Sequence, residues 1–166
     1  NDVRALREPG ALEAAAELRV PVCLMHMQGE PRTMQANPVY GDVLAEVREF
    51  LAGRIAACEA AGIPRARLIV DPGFGFGKTV AHNLALLRGL PELAGLGCPV
   101  LAGLSRKSLI GAVLGLPVDE RLHASVALAL IAVQNGASIV RVHDVRATRD
   151  AVRMWEAVQS RTGEQE

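Results

Sequence analysis

The stretch DPGFGFGKT, residues 71–79, places a carboxylate directly before three glycines at alternate positions. A Walker phosphate loop needs four residues between its first glycine and its Gly-Lys pair, and only three separate Gly73 from Gly77. Pro72 stands where that first glycine would be needed, and proline removes one phosphate-binding backbone N–H. A dinucleotide loop, G-x-G-x-x-G, also fails because the glycines fall at 73, 75 and 77.

Asp71 ends an apolar run, so its carboxylate is expected at the mouth of a sheet, where partial burial makes hydrogen-bond donors necessary. A flat heterocycle with a ring N–H and an exocyclic amine offers two donors side by side. The glycines would let the backbone turn sharply, with Phe74 and Phe76 flanking the pocket. The alternative is that Asp71 only caps the turn that follows it.

A second polar group, SRKS at 105–108, closes another apolar run and leads into an apolar helix. The hydroxyl of Ser105, the cations of Arg106 and Lys107, and helix N-terminal amides together favour anions and acceptor oxygens. The alternative is a solvated loop with a helix-capping serine.

A third group, RVHD at 141–144, alternates, so Arg141 and His143 are predicted to point the same way from a strand. Two adjacent donors that can carry charge suit a phosphate, although a solvent-facing pair would read the same. His26 is interpreted as a structural histidine, and His82 and His123 as helix-surface residues. Histidine, cysteine and carboxylate residues nowhere show metal-ligand spacing.

Continuous apolar runs predict four strands, buried on both faces of a parallel sheet, at 21–27, 67–71, 99–105 and 138–145. Helical patterns lie between them, at 9–18, 42–61, 81–94, 119–135 and 146–161. Polar residues follow each strand at its C-terminal end, which is the ligand-binding edge of parallel α/β folds. A small doubly wound sheet and the back half of a (β/α)8 barrel both fit, and periodicity does not decide between them.

The composition favours a small-molecule site over a charged macromolecular partner. Eighteen basic and eighteen acidic side chains cancel among 166 residues, so nucleic-acid or membrane-surface binding is not expected. No apolar run approaches the roughly 18 residues of a membrane helix. The three cysteines are predicted to be buried thiols in a reducing cytosol.

Together, NDV at the start, CLMHMQGEP, DPGFGFGK, GLSRKS and RVHDV resemble the dihydropteroate synthase family in order and spacing. The resemblance implies a (β/α)8 barrel that condenses 7,8-dihydropterin-6-ylmethyl diphosphate with 4-aminobenzoate in folate biosynthesis, and that sulfonamides inhibit. Asn1 matches the asparagine that ends the fourth barrel strand. Residues 1–166 are therefore expected to be the C-terminal portion of one pterin-binding barrel domain, with the first three strands before this chain and little activity alone.

The resemblance also assigns the pterin contacts. Asp71 would grip the ring N–H and the amino group, and Asn1 would bond another pterin edge. Lys107 would meet the pterin carbonyl oxygen and a ring nitrogen, while Met25 and Phe76 would line the pocket.

The anionic parts of the substrates fall to the remaining motifs. Arg141 would stack on the pterin and, with His143, hold the diphosphate, and Ser105 would lie near the aminobenzoate carboxylate. The residues expected to act in catalysis are Lys107, Arg141 and His143.

Cofactor and partners follow from the same resemblance. Mg2+ is implied for the whole enzyme, with its ligand outside this chain, and a cytoplasmic homodimer that binds neither nucleic acid nor membrane is expected. Competing interpretations are a pterin-binding methyltransferase domain, a non-catalytic pterin-binding fragment and a free-standing phosphate-binding protein.

Overall fold

Short parallel strands alternate with helices in the structure, a computed structural model that describes residues 1–30 and 32–160. The strands are β1 (Val22–Met25), β2 (Leu68–Asp71), β3 (Leu101–Ala102) and β4 (Ile139–Val140). The helices are α1 (Ala11–Leu18), α2 (Val43–Ala60), α3 (Val80–Arg88), α4 (Leu90–Ala94), α5 (Ser108–Leu114), α6 (Leu122–Gln134) and α7 (Val145–Gln159). Single 3-10 turns precede β2, at Arg65–Arg67, and α6, at Val118–Glu120.

The strands follow one another in space in the order in which they follow one another in the chain. β1 pairs with β2 and β3 pairs with β4, both in parallel, and parallel bridges join Asp2 to Leu24 and Val70 to Val100. The order is therefore Asp2, β1, β2, β3, β4. In the described part of the chain, the strand order does not reverse as it does in a doubly wound sheet. The α/β class predicted from the sequence is confirmed.

The core is aliphatic, in a chain with only 3% aromatic residues. Helix α2 buries one face, and the residues of that face are Val43, Val47, Leu51, Ile55 and Cys58. Phe50, in the same helix, is half-buried. The three cysteines are buried and free, as predicted. Gly62, just past α2, has φ 83°, the left-handed conformation that commonly ends a helix.

The predicted strands are too long, particularly 99–105 and 138–145, which contain only two paired residues each. Pairing needs a partner in register, and the chain turns away into loops at Gly103 and Arg141. Apolar character alone does not reveal where that turn occurs.

The predicted helix over 81–94 is two helices, because Pro91 has no N–H to donate to the carbonyl of Leu87. The amide of Asn135 donates to this carbonyl instead, at 2.8 Å. Gly89 lies at the junction, packed so tightly that a Cβ there would be 2.3 Å from Leu44 Cδ2.

The N-terminus of α2 provides a direct test of the fold. Asp42 Oδ1 accepts hydrogen bonds from the backbone N–H groups of Leu44 (3.0 Å) and Ala45 (3.1 Å). Asp42→Ala should lower the free energy of unfolding by about 1 kcal/mol in urea titrations followed by circular dichroism, because it removes this cap. Asp42→Asn keeps a capping oxygen and should cost less; equal stability of Asp42→Ala and the parent would contradict the assignment.

Candidate active site

Asp71 lies buried at the C-terminal end of β2, with 2% of its surface exposed. Its Oδ1 accepts from the backbone N–H of Gly73 at 2.7 Å, and its Oδ2 accepts from Asn1 Nδ2 at 3.2 Å. The turn-capping role is therefore present. The second carboxylate oxygen bonds Asn1, which is also expected to contact a pterin.

The glycine loop, residues 72–77, is held almost entirely by side chains from elsewhere. Gly73, Gly75 and Gly77 have φ of 67°, 80° and 63°, which non-glycine residues rarely adopt. Every backbone carbonyl from 73 to 77 accepts a hydrogen bond from a side chain, and the donors are Lys78 (to 73 and 76), Lys107 (to 74), Gln35 (to 75) and Tyr40 (to 77).

Two of these glycines are also required by close packing. A Cβ on Gly73 would be 1.9 Å from the carbonyl oxygen of His26, and one on Gly77 would be 2.3 Å from that of Gln28. The loop therefore presses directly against the segment that follows β1. This contact explains the alternate glycines better than phosphate binding does.

Lys78 is a residue of this site that the sequence patterns did not single out. Its ammonium is 3% exposed and contacts His26 Nδ1 at 2.9 Å and the carbonyls of Gly73 and Phe76, each at 3.0 Å. Burial lowers the pKa of Lys78 to about 7, although the Asp71 carboxylate favours the charged form. The available signal was composition, since the chain has sixteen arginines and only two lysines.

His26 is a structural histidine, as interpreted from the sequence. Its backbone N–H donates to the Asp71 carbonyl at 3.0 Å, and its ring meets Phe50 edge-on with centroids 4.9 Å apart. Burial, together with the charges of Lys78 and Arg7, lowers the pKa of His26 to about 3.

Asn83, on α3, was also missed. Its Oδ1 accepts from the Gly75 N–H at 2.7 Å, and its Nδ2 donates to the Thr79 carbonyl at 2.7 Å. The His82 ring closes a capping box with Thr79 at the start of α3. His82 therefore has a helix-capping role beyond the surface position predicted for it.

Lys107, in the SRKS motif, contacts the glycine loop. Its Nζ donates to the Phe74 carbonyl and lies 4.9 Å from the centroid of the Phe76 ring. Burial lowers the pKa of Lys107 to about 8; Asp71 opposes this shift and Arg141 adds to it. Lys107 lines the same cavity as Arg141, and its bond to Phe74 joins it to the loop that follows Asp71.

The two phenylalanines of the loop have different environments. Phe76 is half-buried beside Lys107, whereas Phe74 is 1% exposed and belongs to the core. The prediction that Phe74 flanks the pocket is therefore wrong, because its ring packs under the loop. Met25, expected to line the pocket, is buried with its Cγ against Gly73.

A cavity of about 210 Å3 joins the second and third motifs. Its lining residues are Gly103, Ser105, Lys107, Arg141, Val142 and His143. The Ser105 hydroxyl and His143 Nδ1 are 2.9 Å apart, and the His143 N–H donates to the same hydroxyl at 3.2 Å. The Arg141 guanidinium packs on Gly103, where a Cβ would be 3.3 Å from Nη2.

Arg106, assigned only a supporting role, joins the two loops that line this cavity. Its guanidinium donates to both carboxylate oxygens of Asp144, at 3.1 and 2.7 Å, and this pairing lowers the pKa of Asp144. Its backbone has φ 57° and is fixed by α6, through the hydroxyl of Ser125 (2.9 Å) and the guanidinium of Arg121 (3.0 Å).

Neither a metal centre nor a membrane span is found in the described part of the chain. Among residues 1–30 and 32–160, no group of three histidine, cysteine or carboxylate side chains is arranged to hold a metal ion. Within the same residues, none of the helices is long and apolar enough to cross a membrane.

A buried carboxylate, two lysines and a cavity lined by cationic side chains lie at the carboxyl ends of parallel strands in this α/β protein, an arrangement whose chemistry suits a polar heterocycle and an anion. The sequence profile of the pterin binding enzyme family matches residues 1–143. The chain belongs to this family, and the resemblance to dihydropteroate synthases is confirmed.

The relatives carry that name and are longer than this chain. The dihydropteroate synthase of Haemophilus influenzae is 60% identical over 157 residues, covering 95% of this chain and 57% of the relative. The Yersinia pestis enzyme, solved with a sulfonamide drug, has a TM-score of 0.93 at 51% identity, covering 96% and 58% of the two chains. The Xanthomonas albilineans enzyme, solved with 4-aminobenzoic acid and with 7,8-dihydropteroate, has a TM-score of 0.90 at 56% identity in both structures. The matches cover 96% of this chain and 57% and 58% of the two solved chains.

The buried lysine predicts a specific pH dependence of stability. Between pH 7 and 10.5 the unfolded chain binds more protons at Lys78 than the folded chain, so the free energy of unfolding should rise with pH in that window. Lys78→Met should reduce this rise in urea titrations at several pH values, leaving the part due to Lys107. An identical pH dependence in the variant and the parent would contradict the buried placement.

Proposed function

We propose that the chain is the pterin-binding part of a dihydropteroate synthase, which joins 7,8-dihydropterin-6-ylmethyl diphosphate to 4-aminobenzoate. The observation that carries the proposal is that Asn1 bonds the Asp71 carboxylate at the end of β2, while Lys107 bonds the loop that this carboxylate caps. A buried carboxylate, an amide and a cation are complementary to the donor and acceptor edges of a pterin. The X. albilineans enzyme, solved with 7,8-dihydropteroate, supports the same substrate class.

In this proposal Asp71 accepts hydrogen bonds from the pterin ring N–H and amino group, because a buried carboxylate needs hydrogen-bond donors. Lys107 donates to the pterin carbonyl oxygen and a ring nitrogen, next to the Phe74 carbonyl to which it is already bonded. Met25 and Phe76 supply apolar surface for the ring, and Asn1 bonds another edge. A bound pterin would then compensate the cations already gathered at this site.

The diphosphate would lie at the cavity of Arg141 and His143, and the aminobenzoate carboxylate near Ser105. The methylene–oxygen bond breaks first, and its electron pair leaves on the diphosphate. The amine nitrogen of aminobenzoate then attacks the methylene carbon and loses a proton to solvent. Lys107, Arg141 and His143 act in this scheme by positioning and by stabilising charge, with no covalent nucleophile.

We also propose that residues 1–166 are the C-terminal portion of one pterin-binding (β/α)8 domain. Supporting this, the chain spans about 57% of the length of its H. influenzae relative. The unidirectional strand order matches a stretch of barrel wall, and one edge segment plus four strands cannot close eight. The proposed whole enzyme is cytoplasmic, homodimeric and a sulfonamide target.

Mg2+ remains an expectation for the whole enzyme only. The described residues do not offer a metal-ligand set, as reported above, so no step of this proposal runs through a metal. The diphosphate contacts assigned to this chain are cationic side chains.

Pterin affinity tests the central assignment. Calorimetric titration of the chain with 6-hydroxymethylpterin should show saturable binding that Asp71→Ala weakens at least about tenfold, since a charged hydrogen bond is lost. Asp71→Asn should also bind poorly, because it replaces one acceptor with a donor. Glu156→Gln, an exposed change on α7, is the matched control. Equal affinity of Asp71→Ala and Glu156→Gln would contradict the assignment.

Turnover tests the proposed division of the barrel. The 166-residue chain should form no dihydropteroate above background from both substrates in a steady-state assay, because part of the proposed barrel lies outside it. Turnover at the rate of a full-length relative, measured in parallel, would show that the proposed partial barrel is wrong.

A further inference from the structure

We propose that Lys78 and His26 form a positioning pair that fixes the shape of the glycine loop and so orients the groups that contact a pterin. The inference rests on the proposed function and extends it to two residues that do not line the ligand cavity. The catalytic roles stay with Lys107, Arg141 and His143.

The geometry of the pair is complete in itself. A lysine ammonium has three donors and no acceptor, and Lys78 meets three close acceptors, at 2.9, 3.0 and 3.0 Å. While Lys78 is charged it can only donate, so His26 Nδ1 accepts from it and the ring proton lies on Nε2. Both side chains are more than nine-tenths buried, so water does not readily replace these bonds.

The bonds of Lys78 span the loop. They tie the carbonyl of Gly73, at its start, to that of Phe76, near its end, and anchor both to the segment after β1. The neighbouring carbonyl, of Phe74, is bonded from the cavity side by Lys107. The two lysines of the chain therefore bond three of the five backbone carbonyls from Gly73 to Gly77.

The loop transmits this constraint to the pterin-contacting groups. The Gly73 N–H bonds Asp71 Oδ1 at 2.7 Å, and the Phe76 N–H bonds the Gly73 carbonyl at 3.0 Å. Loss of the Lys78 donors would leave two loop carbonyls and the His26 nitrogen without them. The loop would then relax, and it would no longer hold Asp71, Phe76 and Lys107 in fixed positions relative to one another.

Four variants separate positioning from stability. Lys78→Met removes all three donors at similar volume. His26→Asn keeps an acceptor oxygen near the place of Nδ1, whereas His26→Leu removes it. Ile55→Val, in the buried face of α2, lowers stability away from the loop and serves as the control.

Affinity for 6-hydroxymethylpterin is measured by calorimetry at a temperature where circular dichroism shows each variant to be folded. Lys78→Met and His26→Leu should bind about tenfold more weakly or worse, as expected for orphaned buried polar groups, while His26→Asn retains most affinity. Ile55→Val should lose melting temperature but no affinity. Lower melting temperatures with unchanged affinity in Lys78→Met and His26→Leu would overturn the proposal.

Hydrogen exchange of the loop amides provides a readout that needs no ligand. The N–H groups of Gly73, Gly75 and Phe76 should exchange faster in Lys78→Met, relative to amides of α2, and not in Ile55→Val. If the parent fails to bind pterin but exchange responds this way, the proposed function fails while the positioning pair stands. Unchanged exchange of these amides in Lys78→Met would overturn the proposed pair. If Lys78→Met does not fold, unchanged exchange in His26→Leu would overturn it.

Discussion

The glycine loop between β2 and α3 depends on hydrogen bonds from side chains to its own backbone carbonyls. In a helix or strand these carbonyls would bond to backbone N–H groups, but the left-handed glycines prevent any regular pattern. Lys78, Lys107, Gln35 and Tyr40 bond the carbonyls instead, and Asn83 and Asp71 accept from the amides. The loop carbonyls are thereby bonded as those of a regular element would be, and Lys107 joins the loop directly to the cavity.

Positive charge is concentrated around one buried carboxylate. Lys78 and Lys107 both bond carbonyls of the loop that follows Asp71, and Arg141 lines the same cavity as Lys107. Burial lowers the pKa of both lysines towards neutrality, and a bound oxygen-rich, anionic substrate would favour their charged forms. The negative charge of the proposed ligand would therefore balance the positive charge of the site. The Arg106–Asp144 pair holds the two cavity-lining loops together without adding net charge.

Much of this arrangement could be predicted from the sequence, because continuous apolar runs mark buried parallel strands and polar residues follow each of them. That rule brought Asp71, Lys107, Arg141 and His143 to one edge. The missing information concerned contacts between segments distant in the chain. Lys78 pairs with His26, 52 residues away, and Ser105 with His143, 38 residues away. Phe74 and Phe76 are equivalent in the sequence pattern, and only packing sends one ring into the core.

The most direct test uses the fact that the chain contains only two lysines. Chains labelled with [15N]lysine give one Nζ signal each for Lys78 and Lys107, assigned with Lys78→Met, and are titrated with 6-hydroxymethylpterin. The account predicts a saturable shift of the Lys107 signal, as it gains the pterin as a partner, with the Lys78 signal holding its position behind the loop. A titration that leaves Lys107 unchanged, or that moves only Lys78, would contradict it.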